Sequence, residues 1–336
     1  MLRDYLDDFE VSCSSTRGEV LRNQMNVQKP LGSFGRIESI GYKISEVLGI
    51  NRTSKIRGTI CVFAADHGIS ELGLSIFPQS QTKKIVEMME EGKTPINKIA
   101  ACSHFPLYCL DVGIAGKVCS GRVVRDYKVM NGTKNLLIDD AMSEREVIQS
   151  IRTGMLFADE LKAQGSDIVA VGEVGCGNTI SSSIITAILC KKKADEITDV
   201  GTGISNEKLQ KKIEIVGRKI DELKEYEGDL LTILKKVGGV EICAEAGFIL
   251  GCARNGMVVI IDGFISGVSA LIAYEINESI RKCIIPSHLS SEKGHKYIFE
   301  KLKLEPIIDW GMHYGIASGA AMILPVVISA YGITNE

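Results

Sequence analysis

Glu173 stands in the segment Gly172-Glu-Val-Gly-Cys-Gly-Asn-Thr179, where an apolar run gives way to glycines and then to a helical pattern. Glycines let backbone N–H groups approach an anion, and a helix N-terminus adds a favourable partial charge, so the segment reads as a phosphate cradle. A tight strand-to-helix turn without a ligand would have the same glycine content. The carboxylate tips the reading, because beside an anion site it is electrostatically costly and calls for a task such as proton transfer. A second glycine turn, Val200-Gly-Thr-Gly-Ile-Ser205, also leads into a helix, with Lys212 about two turns along it. Two such turns could hold the two ends of a ribose phosphate with Lys212 as charge partner; the alternative for Lys212 is an exposed surface lysine.

Other residues with chemical capacity read as architecture. Asp66 and His67 in Ala64-Ala-Asp-His-Gly68 are both metal-ligating types, but the five histidines show no H-x-H or H-x-x-x-H spacing, and a lone pair at a strand end reads as hydrogen-bonded structure rather than a metal site. Asp262-Gly263 and Asp309-Trp-Gly311 are similar strand-end acids. Ser266, Ser269 and Ser318 lack the G-x-S-x-G elbow, and Cys176 has no basic partner in the sequence, so a covalent nucleophile is not indicated. No metal or cofactor is expected.

The elements that must position these residues follow from the hydrophobic pattern. Short apolar runs ending in Gly, Asp or Glu alternate with stretches of helical period, which is the pattern of parallel strands joined by crossover helices. Strands are expected at Gly58 to Ala65, Leu107 to Val112, Ile168 to Gly172 and Met257 to Asp262, and helices at Asn178 to Cys190, Ser205 to Glu225, Glu241 to Asn255, Phe264 to Ile280 and Ser291 to Lys301. In an open parallel sheet the ligand lies outside the carboxyl ends of the strands, so the segments after each strand should line one cleft. No repeat, low-complexity tract or proline-rich linker divides the chain. The organisation expected is a helical segment at 1–50, an α/β domain at 51–310, and a C-terminal helix at 311–336 that packs with the first segment as a smaller lobe.

Composition is that of an ordinary globular protein able to bury a large core. The 336 residues are 45% hydrophobic and 24% charged, with 39 Lys plus Arg against 42 Asp plus Glu. A net charge of -3 gives no long-range attraction to nucleic acid or an acidic membrane. Ten cysteines are scattered without a C-x-x-C pair, as in a reduced cytosolic protein. The start MLRDYLDDFE is acidic where a secretory signal needs a basic region and an apolar run, so a cytoplasmic location is expected. Val258 to Ile272 and Ile316 to Ile333 are the most apolar stretches, but Asp262 and several Gly, Ser and Pro residues interrupt them. A span needs about 20 nearly unbroken apolar residues.

Taken together and in order, the segments resemble the nicotinate-nucleotide:dimethylbenzimidazole phosphoribosyltransferase family over nearly the whole chain. The resemblance rests on Lys29 to Glu38 (KPLGSFGRIE), Phe63 to Gly68 (FAADHG), Phe77 to Ser80 (FPQS), Leu110 to Gly116 (LDVGIAG), Gly132-Thr133 and Gly172 to Thr179. It continues through Gly201 to Gly203, Glu241 to Gly251, Asp262 to Ser266 (DGFIS), His288 to His295 and Pro306 to Gly319. It implies a Rossmann-like α/β domain with a smaller helical lobe, acting as a dimer without metal or redox cofactor. It also implies transfer of phosphoribose from nicotinate mononucleotide to an aromatic acceptor. Gly175, Gly177, Asn178 and Thr179, with Gly203 and Lys212, would hold the nucleotide phosphate, and Phe77, Gln79 and Ser80 would wall the acceptor pocket. A dehydrogenase is the weaker relation, since no G-x-G-x-x-G follows the first strand.

One position departs from the family pattern. The C-terminal Gly-Glu-Gly in which the family places its base reads Gly315-Ile-Ala317 here, so Ile316 takes the place of the Glu. Isoleucine accepts no proton and makes that end of the pocket apolar. Three readings follow. Glu173 serves as sole base; or the acceptor is a phenol or p-cresol, with His313 and Tyr314 near its hydroxyl; or the chain is the less active half of a heterodimer with a paralogue.

Overall fold

The computed structural model describes residues 2–335 apart from 7, 12, 51–53 and 202. Six strands alternate with helices: α1 (Arg17–Asn26), α2 (Arg36–Leu48), β1 (Gly58–Ala65), α3 (Ser80–Glu90), α4 (Pro95–Ser103), β2 (Leu107–Gly113) and β3 (Val124–Asp126). Then follow α5 (Glu144–Ala163), β4 (Ile168–Val174), α6 (Asn178–Cys190), α7 (Ala194–Ile197), α8 (Asn206–Leu223), α9 (Leu230–Val237) and α10 (Val240–Arg254). The chain closes with β5 (Val258–Ile261), α11 (Phe264–Ile276), β6 (Ile284–Pro286), α12 (His295–Leu302) and α13 (Ser318–Thr334).

Every ladder in the sheet is parallel, and the strand order is β3-β2-β1-β4-β5-β6. This is the doubly wound order, whose direction reverses between β1 and β4 and opens a crevice beyond their carboxyl ends. Alternation along each strand sorts side chains to two cores. Cys61, Phe63, Ala65, Val169 and Val171 face a layer that includes α5, α6, α10 and α11. Ile60, Val62, Ala64, Ile168 and Ala170 face a layer of α2, α4 and α13. Glu173, two residues beyond Val171, thus points toward α10, while Gly172 backs onto Ala317 at the start of α13. The N-terminal helix α2 packs along α13, and both share the second core with the sheet.

Two glycines let α5 and α10 cross closely. A Cβ at Gly154 would run into the Ala244 carbonyl, and one at Gly247 into the Ile151 carbonyl. This pins α10, which carries Glu241 and Glu245, against the first core.

Differences from the sequence reading have local causes. β3 and β6 are three-residue edge strands, too short to show a period. The helix expected from Ser291 starts at His295, because residues 290–294 form a loop. α11 ends at Ile276, where Asn277 turns extended and its side chain accepts the Ser279 N–H. α3, α4, α5, α7 and α9 went unmarked, although Ser143 and Glu146 form a capping box for α5. Among the described residues no helix is long and apolar enough to cross a membrane.

Candidate active site

A cavity of about 640 Å³ opens at the carboxyl ends of β1 and β4, the place where the strand order reverses. Its size is that of a small-molecule site. Of the residues singled out in the sequence, Glu173, Gly175, Gly177, Asn178, Thr179, Lys212, Phe77, Tyr314 and Ile316 line it. Gly203, Gln79 and Ser80 do not. Gln79 and Ser80 start α3, whose inward face presents Gln81 and, about one and two turns further on, Ile85 and Met88 to the cavity. Gly203 is exposed at φ +105° with open space where a Cβ would stand, and its neighbours Gly201 and Ile204 line the wall instead. Thr202 of that turn lies outside the described residues.

The cradle end is built on a left-handed glycine. Gly177 caps α6 at φ +99°, a conformation that costs an L side chain and suits glycine, and a Cβ there would crowd Ile69, Ser70 and His67. The Cys176 N–H donates to Thr82 Oγ1 at 3.1 Å. Burial pushes the Cys176 thiol up rather than activating it. Lys212 is the one Lys or Arg among the lining residues and is only 2% exposed. Its ammonium donates to the Asp199 carbonyl at 2.9 Å, and burial pulls its pKa below the ordinary lysine value. The reading of Lys212 as an exposed surface residue is thereby corrected: it lies on the buried face of α8 with Val216 and Leu223.

Glu173 joins the two ends of the cavity. Asn178 Nδ2 donates to its Oε2, linking it to the cradle. On the other side a Cβ at Gly315 would lie 3.3 Å from Oε1, and the Ile316 N–H donates to the Glu173 carbonyl at 3.1 Å. Burial holds the Glu173 carboxyl well above the usual range, and the nearby charges of Glu245 and Glu241 add to it. The apolar end includes Phe77, Ile85, Met88, Tyr314 and Ile316. Ile316 is buried and adopts φ +58°, followed by Ala317 at φ +55°, a left-handed pair that is an outlier for a β-branched residue.

Beneath Glu173 lie carboxylates whose role the sequence did not suggest. Glu245 is fully buried, its Oε2 accepts from Ser269 Oγ at 3.0 Å, and burial raises its pKa to about 8. Glu241 meets His67 Nε2 at 2.6 Å. The signal was present: two acids at i and i+4 in the otherwise apolar VEICAEAGFILGCAR must face something polar. Asp66 Oδ2 accepts the Ala115 N–H at 2.8 Å, and Asp262 Oδ1 accepts the Ala320 N–H at 3.0 Å, so these strand-end acids order loops. His288, Ser290 and Glu292 also line the cavity. Ser290 and Glu292 were missed because the segment from Ser290 to Gly294 resembles a helix cap.

The arrangement can hold an anion at one end and a flat apolar ring at the other, with a proton-accepting carboxyl at their junction. A family model described as phosphoribosyltransferase matches residues 12–336. The nicotinate-nucleotide–dimethylbenzimidazole phosphoribosyltransferase of Desulforamulus reducens is 36% identical over 312 residues, covering 93% of this chain and 89% of the relative. That of Desulforudis audaxviator is 36% identical over 313 residues with the same coverage. The crystal structure of CobT from Thermus thermophilus superposes with a TM-score of 0.89 at 30% identity, covering 95% of both chains.

Proposed function

This chain belongs to the phosphoribosyltransferase family, and we propose that it transfers the phosphoribosyl group of nicotinate mononucleotide to a ring nitrogen of dimethylbenzimidazole. The C1'–N bond of the donor breaks, its electron pair stays on the pyridine nitrogen, and nicotinate leaves. The acceptor nitrogen bonds to C1', giving α-ribazole 5'-phosphate, and the acceptor's N–H proton is released. Ribosyl C1' is cation-like during the exchange, so a fixed carboxylate and two aligned rings supply most of what is needed.

The observation that carries this reading is the position of Glu173, bonded to Asn178 on the cradle side and to Ile316 on the apolar side. On this proposal Gly175, Gly177, Asn178, Thr179 and Lys212 hold the donor phosphate, Phe77, Tyr314 and Ile316 border the acceptor, and Glu173 takes its proton. A carboxyl pKa raised by burial suits that task, since it makes the carboxylate a stronger base than an exposed one.

The buried, apolar Ile316 favours a second acceptor class, a phenol, which needs no partner for a second ring nitrogen. Purified chain with nicotinate mononucleotide and, separately, dimethylbenzimidazole, adenine, phenol and p-cresol distinguishes the two by nicotinate release and the mass of the riboside formed. Release with dimethylbenzimidazole supports the first reading and release with phenols alone the second. No release with any acceptor overturns both.

The assembly belongs to the same proposal: a dimer, with itself or with a paralogue. Leu21, Met25, Leu31 and Phe34 form exposed apolar surface on and after α1, which supports it, and sedimentation of the purified chain tests it. A cytoplasmic location accords with free cysteines, of which Cys13, Cys102 and Cys119 are exposed.

A further inference from the structure

We propose that His288 is a specificity-determining residue that selects a ribose over a deoxyribose donor, its Nε2 lone pair accepting a hydrogen bond from one of the two sugar hydroxyls. The proposal rests on the reading of the cavity as a site for nicotinate mononucleotide. His288 is buried, lines the cavity and stands just beyond β6. Its backbone is fixed on both sides: the Ser287 N–H donates to the Ile261 carbonyl at 3.1 Å, and the Leu289 N–H to the Ile308 carbonyl at 3.0 Å.

The tautomer follows from the bonds of Ser287. Its Oγ lies 3.2 Å from the Asp262 carbonyl, which can only accept, so the single hydroxyl hydrogen is engaged there. The same Oγ lies 2.9 Å from His288 Nδ1. It can then only accept, so Nδ1 carries the ring hydrogen and, in the neutral imidazole, Nε2 carries the lone pair. Burial favours that neutral form, holding the ring below the ordinary histidine range against the pull of the Asp262 and Asp309 carboxylates.

The ring keeps its Nδ1 edge in the protein and turns its Nε2 edge to the cavity. A Cβ at Gly319 would run into Nδ1 and Cε1, so the ring lies against the first turn of α13. Nε2 lies 3.6 Å from where a Gly263 Cβ would stand, and Ser290 Cβ lies 3.8 Å from the same point. Gly263 and Ser290 both line the cavity. Among the described residues no group bonds to Nε2, and unlike Nε2 of His295 it is not sealed from solvent.

A lone pair in a cavity selects a hydrogen-bond donor. Above neutral pH the phosphate and the carboxylate of nicotinate mononucleotide only accept, and the ribose hydroxyls are the groups that donate. The acceptor's N–H is the remaining candidate, but on the reading above it stands at the apolar end with Phe77, Ile85 and Ile316. That end belongs to α3, which packs against β1 and β3, whereas Gly263 and His288 follow β5 and β6 on the opposite side of β4. A deoxynucleotide leaves Nε2 buried and unpaired, which disfavours it.

The test is equilibrium binding, at about pH 8 where the imidazole is neutral, of nicotinate mononucleotide and its 2'-deoxy and 3'-deoxy forms to the wild type, His288→Asn and His288→Gln. Asparagine can place its amide where Nδ1 stands but does not reach the position of Nε2. Glutamine can place an acceptor oxygen there. The wild type should bind one of the deoxy forms about tenfold more weakly than the nucleotide. His288→Asn should lose about the same factor for the nucleotide and no longer distinguish that deoxy form, and His288→Gln should restore part of the discrimination. Equal discrimination in the wild type and His288→Asn, or rescue by asparagine and not by glutamine, overturns the proposal and leaves His288 a structural residue. No binding of nicotinate mononucleotide to the wild type overturns the donor reading, and this proposal with it. Should the variants fold poorly, nitrogen NMR of the wild type with labelled histidine decides. The His288 ring should carry its hydrogen on Nδ1, and its Nε2 resonance should move with the nucleotide but not with the disfavoured deoxy form. A hydrogen on Nε2, or the same shift with all three ligands, sinks the idea.

Discussion

The amide of Ile316 donates to the backbone carbonyl of Glu173 at 3.1 Å, so the end of β4 and the turn that opens α13 are one unit across the cavity. Gly172 strengthens the tie, because only a residue without Cβ lets Ala317 lie against the strand. A change at Ile316 is therefore felt at Glu173, and the carboxyl bonded to Asn178 of the glycine cradle is positioned by the segment that forms the apolar end of the cavity.

Glu173→Gln keeps the shape and the Asn178 contact but removes the proton acceptor. A positioned base contributes about 10²- to 10⁴-fold, so kcat should fall by that range with little change in KM for the nucleotide. In the wild type the rate should rise with pH through a value above the ordinary Glu 4.5, because burial holds this carboxyl protonated at lower pH. Near-full activity in Glu173→Gln, measured by nicotinate release, would remove Glu173 from the mechanism.

Glu245 makes stability depend on pH. Its pKa is raised from 4.5 to about 8 by burial, so the folded state binds this proton more tightly than the unfolded chain does. The stabilising contribution is complete below pH 4.5 and is lost as the pH rises through about 8. Melting temperature should therefore drop between pH 6 and pH 9. Glu245→Gln, neutral throughout and still able to bond Ser269, should flatten that drop and exceed the wild type at the alkaline end.

The crossing of α5 and α10 predicts opposite signs for two identical substitutions. Gly154→Ala puts a methyl into the Ala244 carbonyl, and overpacking of this kind costs about 1–3 kcal/mol. On α8, a Cβ at Gly217 would sit 3.7 Å from Ala194 Cβ in ordinary contact, so Gly217→Ala should stabilise by up to about 1 kcal/mol through helix propensity. Urea unfolding of the two variants measures both. A neutral Gly154→Ala would mean that the helices can separate freely.

The central strands β1, β2, β4 and β5 were legible because each is a β-branched or otherwise apolar run stopped by Gly, Asp or Glu, and the start of α6 at Asn178 was legible from its glycines. Glu173 and Lys212 were legible for the same reason, standing at fixed offsets from those turns. Edge strands β3 and β6 are too short to carry a period. Which side of α3 faces the cavity is a matter of helix rotation, so Gln79 and Ser80 were expected where Gln81, Ile85 and Met88 stand. Glu292 was illegible because a loop that lines a cavity and a loop that caps a helix use the same Ser, Glu and Gly residues.

Ile316→Glu tests whether one side chain decides the acceptor. Isoleucine at φ +58° is strained, by about 1–2 kcal/mol for an L residue in the left-handed region, and an unbranched Cβ relieves part of that. Against this, the variant loses the burial of an apolar side chain, worth roughly 1.5–3 kcal/mol, so a modest drop in stability is expected. The new carboxyl would stand beside Glu173, and two adjacent acids share a proton, with one pKa pushed up further. Use of dimethylbenzimidazole should then improve about tenfold or more in kcat/KM, as a second base allows, with the rising limb of the pH profile displaced to higher pH. Ile316→Gln supplies the control, since it hydrogen-bonds but accepts no proton. Equal gains in Glu and Gln variants would assign the effect to polarity alone, and no gain in either would mean that the acceptor end differs at more than Ile316.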